Sequence, residues 1–172
     1  MIARPDRTEA ADYYFTYIDQ VPGTDICGLL EAQLSEMLTF LKGISEDQSL
    51  RRYAAGKWSM RQLLNHMTDT ERAFEFRALW FARRFDSPLP GFDQDIAAAG
   101  ADADSRPWAS HIEEFQAVRR ATSMLFGNLS NDMWDRRGVA AGNPFTVRAL
   151  AFISAGHVAH HMKILRERYL RG

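Results

Sequence analysis

The sequence has one cysteine, no excess of charge of either sign, and no long apolar run. Cys27 cannot close an internal disulfide, and its apolar surroundings are those of a buried, inert thiol, so a reducing, cytoplasmic setting is expected. The 21 Lys and Arg stand against 22 Asp and Glu, giving a formal charge of −1. No global field therefore draws the chain onto nucleic acid or an anionic membrane. No segment approaches the roughly 18 consecutive apolar residues of a membrane-spanning helix, and the start, MIARPDRTEAADYYFTY, lacks the apolar stretch of a secretory leader. Internal repeats and low-complexity tracts are also missing. What is present is 172 residues, 46% of them hydrophobic, which suffices for one well-buried domain over residues 1–172 but not for two.

Apolar residues recur at three- and four-residue steps in four segments, and no stretch alternates cleanly enough for a sheet, so the pattern predicts an all-α four-helix bundle. The first helix spans about Asp25 to Lys42, with Ile26, Leu30, Leu34, Met37, Leu38 and Leu41 on one face. The polar stretch from Gly43 to Lys57 reads as a connection. A second helix starts after the N-cap Ser59 and carries Met60, Leu63, Met67, Phe74, Ala78 and Phe81 inward. A third begins near Pro107 and ends at Gly127-Asn128. The fourth follows Asn143-Pro144, an N-cap and first-turn pair, and runs to about Leu170. Residues Phe85 to Arg106 form a connection longer than antiparallel neighbours need, a lid or a crossover between the second and third helices, rich in Asp86, Asp93, Asp95, Asp102 and Asp104. The aromatic arm Tyr13, Tyr14, Phe15 and Tyr17 is expected to pack across the bundle, with lining a pocket as the alternative.

Three of the five histidines, His157, His160 and His161, fall within five residues of the fourth helix. His157 and His161 are one turn apart and share a face, as in other i, i+4 histidine pairs that bind metal. Val147, Leu150, Ser154, His157, His161 and Ile164 follow steps of three and four, so the pair lies on the inward seam. Each buried imidazole without a partner costs on the order of 1–3 kcal/mol, and a metal would satisfy both. A defined site needs a further ligand, and His66, at the border of the second helix's apolar stripe, is the candidate; a hydrogen-bonded core histidine is the alternative. His160 points aside, and His111, without a companion, reads as a surface or cap residue.

The strings WSMRQLLNHMTDTE, Trp58 to Glu71, and GHVAHHMKIL, Gly156 to Leu165, resemble the DinB-like family, also called YfiT-like metalloenzymes. The resemblance implies a four-helix bundle with a crossover, a divalent metal held by His66, His157 and His161, and a homodimer. Asp69 and Glu71 match acidic positions after the family's first histidine; salt bridges to Arg72 or Arg77 are an equal reading. Family members with assigned chemistry resemble transferases and isomerases that use low-molecular-weight thiols, although no thiol-recognition motif is visible here.

Two functions follow. In the first, a three-histidine divalent ion, zinc or nickel, has an open position and acts as a Lewis acid on a small-molecule substrate, in transfer or hydrolysis, with Asp93 or Glu71 as general base. In the second, the ion of a non-catalytic stress-response bundle ties the second helix to the fourth.

Overall fold

The computed structural model describes residues 2–170. Seven α-helices appear among them: α1 (Phe15–Ile18), α2 (Ile26–Lys42), α3 (Glu46–Ser49), α4 (Met60–Ala82), α5 (Gln94–Gly100), α6 (Trp108–Gly127) and α7 (Val147–Ile164). A two-stranded hairpin, β1 (Arg137–Ala140) and β2 (Asn143–Thr146), precedes α7, and a π-helical turn, Leu165–Tyr169, follows it. Side-chain caps fix the starts of three long helices by satisfying first-turn N–H groups. Asp25 accepts from the Gly28 amide, Ser59 forms a reciprocal capping box with Gln62, and Thr146 accepts from the Ala149 amide. Pro107, which lacks an N–H to lose, stands immediately before α6.

Helices α2, α4, α6 and α7 form the expected bundle. Both α2 and α4 pack on α6 and α7, which puts α2 and α4 on a diagonal. Contacts between α4 and α6 advance in step along both chains: Arg61 donates to the Asp104 and Arg106 carbonyls, Arg72 reaches Glu114, and Glu71 meets Arg119. The two helices therefore run parallel. The chain between them must return the length of α4, about 35 Å at 1.5 Å per residue, so Phe85–Arg106 is a crossover. It is not bare loop, because Asp93 accepts hydrogen bonds from the Asp95 and Ile96 amides and caps α5 within it.

Three expectations need correction. The segment Gly43–Lys57 contains α3, held by a capping box between Ser45 and Gln48. Asn143-Pro144 does not open the last helix. Both residues lie in β2, paired with Val139 and Ala140, and Thr146 is the cap. His111 is buried, its Nε2 2.9 Å from the Ala103 carbonyl, because the turn at Ala103–Ser105 folds back over the start of α6.

The apolar core is divided. One cluster joins Phe15, Ile18, Phe74, Ala78, Phe81 and Phe145 to the first half of α7, and the other joins Met37, Leu41, Leu63, Met67, Phe115 and Tyr169 to its second half. Between them lies a polar layer from four helices: Gln33, His66, Thr70, Glu71, Arg119, Ser154 and His157. Every residue from Ala149 to Val158 is buried, so α7 is the bundle's central rod, not an amphipathic surface helix.

The N-terminal arm encloses α7 from outside. A Cβ at Gly156 would stand 2.1 Å from the Tyr17 carbonyl oxygen, so only glycine admits this backbone-to-helix approach. Buried Glu9 accepts from Arg148 Nε and Nη2 and from Thr146 Oγ1, fastening the arm to the start of α7. Burial raises the Glu9 carboxyl, but the hydrogen bonds from Arg148, the Asp6 amide and Thr146 together outweigh it and hold it below its ordinary 4.5. That contribution to stability is complete above pH 4.5 and is lost as pH falls through the lower folded-state value. Glu9→Gln should melt below the parent at pH 7, with the gap narrowing toward pH 3 in calorimetry. Gly156→Ala should lower unfolding free energy by about 1–3 kcal/mol in urea, since the obstructing atom is backbone.

Candidate metal centre

His66 comes from the second turn of α4, and His157 and His161 from successive turns of α7. The opposed helices bring one ring nitrogen from each within 4.8 Å of the others. His157 Nε2 lies 3.1 Å from His66 Nε2 and 3.0 Å from His161 Nε2. A ring nitrogen carries either a proton or a lone pair, so three of them facing one point cannot all be satisfied by one another. At ligand distances of about 2.0–2.1 Å, nitrogens bound to one ion stand about 3.0–3.4 Å apart, so the donor set fits a divalent cation. His66 Nδ1 lies 3.3 Å from Thr70 Oγ1, a contact that, with the proton on Nδ1, leaves the Nε2 lone pair free. His161 Nδ1 is buried without a hydrogen-bond partner.

Electrostatics keep these rings neutral. Burial holds His66 at about 4. Burial, reinforced by His66 and His160, holds His161 at about 3. His157 is lowered well below its ordinary value, first by burial and then by the other imidazoles and Arg119. All three imidazoles are thus unprotonated at neutral pH, the form that ligates metal.

Two cavities reach the cluster. One, of about 470 Å³, is lined by His66 and His157, by Tyr13, Tyr14 and Tyr17 of the arm, and by Arg77 and Asp93. The segments 91–94 of the crossover and Ala141 of the hairpin turn also border it. The other, of about 300 Å³, reaches His161 between Trp58 and Tyr169. The arm's tyrosines therefore do more than pack. Tyr17 meets His157 and His160 edge-on at 5.3 and 5.5 Å between centroids, and burial raises its phenol above the ordinary value. Trp58 lies against His66 at 5.0 Å. His160 is half-buried and outside the cluster, as its position in the helix predicts.

The two acids have different surroundings. Glu71 belongs to a fully buried ion pair: Arg119 Nε lies 2.6 Å from its Oε1, and Nη2 donates to Oε2 at 2.7 Å. Its partner is neither Arg72, which pairs with Asp69 and Glu114, nor Arg77. Glu71 thus faces Arg119 and does not line the larger cavity, whereas Asp93 is exposed on its wall. Asp95 is exposed, and its amide donates to Asp93. Sequence reasoning missed Arg119, although Ile112, Phe115, Arg119, Thr122 and Phe126 continue an inward stripe in which an arginine requires a buried anion.

The family model of the DinB superfamily matches residues 29–165. The chain belongs to the DinB superfamily. Solved structures that share its fold include those of two proteins. YfiT from Bacillus subtilis, described as a probable metal-dependent hydrolase with an unusual four-helix bundle topology, is 16% identical, with a TM-score of 0.70 over 96% of this chain and 93% of that one. The mycothiol-dependent maleylpyruvate isomerase is 12–13% identical in two crystal structures, with a TM-score of 0.69 over 84% of this chain and 60% of that one. No curated protein sequence matches. No described helix is long and apolar enough to cross a membrane.

Within this DinB bundle the Glu71–Arg119 pair should be a structural element of the polar layer. Glu71→Ala, which strands a buried guanidinium, should cost about 3–5 kcal/mol in urea unfolding, while the double variant Glu71→Leu with Arg119→Met recovers most of it. Near-parental stability of the single variant would show that the pair is not needed.

Proposed function

We propose that the protein is a metal-dependent enzyme of the DinB superfamily in which His66, His157 and His161 hold one divalent ion, zinc or nickel, and a small molecule reacts beside it. The observation that carries this reading is the convergence of three neutral imidazole nitrogens beside an open cavity, with no fourth protein ligand among the described residues. A structural ion in a bundle is ordinarily closed by four protein ligands, so the open side supports a reactive role. Bound there, such an ion supplies Lewis acidity, which activates a water or a thiol.

The protein's own groups do the rest. His66 and His157 present their nitrogens to the larger cavity, and His161 is reached from the smaller one. Access from two cavities favours transfer between two reactants, one of them a low-molecular-weight thiol, over hydrolysis. The thiol dependence of the mycothiol-dependent isomerase, a protein of the same fold, supports this preference. Asp93 faces the larger cavity and is the group we assign as proton acceptor; its Oδ1 is fixed by the α5 amides, leaving Oδ2 for this role. Tyr17 and Phe74, packed edge-on against His157, shield the ring from bulk water.

We further propose a homodimer in a reducing, cytoplasmic setting. Phe76, Leu79 and Phe85 are exposed at one end of α4, which suits a partner copy, and the single cysteine suits the compartment.

Elemental analysis of tag-free protein purified without added metal tests the centre. About one equivalent is expected in the parent and in His111→Gln, which keeps a donor for the Ala103 carbonyl, and near none in His157→Ala or His161→Ala. Cobalt loading separates reaction from scaffolding: a visible spectrum that shifts when a thiol is added shows an exchangeable position, and an unchanged spectrum marks a structural ion.

A further inference from the structure

Three arginines are nearly or fully buried: Arg61, Arg77 and Arg119. Arg61 donates to Glu46 and to the carbonyls before α6, and Arg119 is paired with Glu71. Arg77 is only 6% exposed, yet among the described residues it makes neither an ion pair nor a side-chain hydrogen bond. Its guanidinium carbon lies 5.9 Å from the ring centroids of both Phe74 and Phe145. Aromatic faces attract the charge but accept none of its five N–H donors. The guanidinium nitrogens are not sealed in the core; they open onto the cavity that also holds His66 and His157, where donors without a protein acceptor are available to a ligand.

Arg77 follows His66 by three helical turns on α4, and Phe74 forms the wall between cation and cluster. The Phe74 ring is 5.9 Å from the Arg77 guanidinium on one side and 6.1 Å from the His157 ring on the other. The guanidinium and the His157 ring are therefore no more than about 12 Å apart, a distance a small molecule can bridge in a cavity of about 470 Å³. The rest of the wall includes the rings of Tyr13, Tyr14, Tyr17, Phe74 and Phe92. Among the described residues that line it, Arg77 is the one arginine or lysine, and Asp93 adds an acid. One cation and a nearby acid suit a monoanion better than a phosphate dianion, and a planar carboxylate matches the guanidinium fork.

We propose that Arg77 anchors the carboxylate of the substrate, so that the cavity takes a small organic acid whose reacting group meets the histidine cluster. The proposal rests on the reading of that cluster as a reaction centre and extends it to a substrate class.

The test uses protein freed of metal by dialysis against a chelator, so that a carboxylate cannot bind an ion directly. Benzoate, its neutral isostere benzamide, and phenyl phosphate are titrated by calorimetry against the parent, Arg77→Met and Arg77→Lys, with melting temperatures recorded for each. Benzoate should bind the parent at least about tenfold tighter than benzamide, as expected for one charge-assisted bidentate pair. The preference should vanish in Arg77→Met and be reduced in Arg77→Lys, which keeps the charge and guards against a folding defect in the first variant. Equal binding of benzoate and benzamide by the parent, retention of the preference in a folded Arg77→Met, or tighter binding of phenyl phosphate than of benzoate would each overturn the proposal. Loss of the metal-centre reading would appear separately in the elemental analysis and would leave these titrations unchanged.

Discussion

Three imidazole nitrogens that meet inside a helical core cannot satisfy one another, and the rest of the bundle is arranged around that fact. Neutral rings at 3.0–3.1 Å leave lone pairs or protons opposed. The arrangement persists because rigid elements hold it. Helix α7 is buried on every side across His157, α4 starts from a fixed cap seven residues before His66, and apolar clusters pack above and below the polar layer. A rod clamped along its length cannot turn its side chains to solvent, so the three nitrogens stay directed at one point.

The same layer shows how polar groups survive in a helical core. Glu71 and Arg119 neutralise one another, and the Ser154 and Thr122 hydroxyls donate to carbonyls one turn back on their own helices. These groups are closed to further partners. The imidazole cluster and Arg77 have no such closure: His66, His157 and Arg77 face the larger cavity and His161 the smaller. Internally satisfied groups hold the frame, and unsatisfied ones mark where something from outside is received.

The fold's main lines were legible because its long helices declare themselves by periodicity and by caps such as Asp25 and Ser59, and the histidine pair because one helical turn separates it. The hairpin was not. Its turn uses Ala141 and Gly142, both with positive φ, without the Asn-Gly or Asp-Gly pair that usually announces such a turn, while Asn143-Pro144 carries cap chemistry equally well. The burial of His111 depends on a turn eight residues earlier in the chain, and the partner of Glu71 lies 48 residues away. Arg72 and Arg77, at one and six positions from Glu71, do not face it on a helix, which the spacing alone could have indicated.

The arm lies outside the span that the family model matches. All three histidines lie inside residues 29–165, the span the family model matches, whereas Tyr13, Tyr14 and Tyr17 of the cavity wall precede it. Their position depends on Gly156, one residue before His157, because only there can the Tyr17 carbonyl approach α7 so closely. The arm thus adds three tyrosines to a wall otherwise built from α4, the crossover and the hairpin turn, and it is held to α7 at Gly156 and through Glu9. A change in the arm would reshape that part of the wall while the capped start of α4 and the buried α7 keep the nitrogens in place.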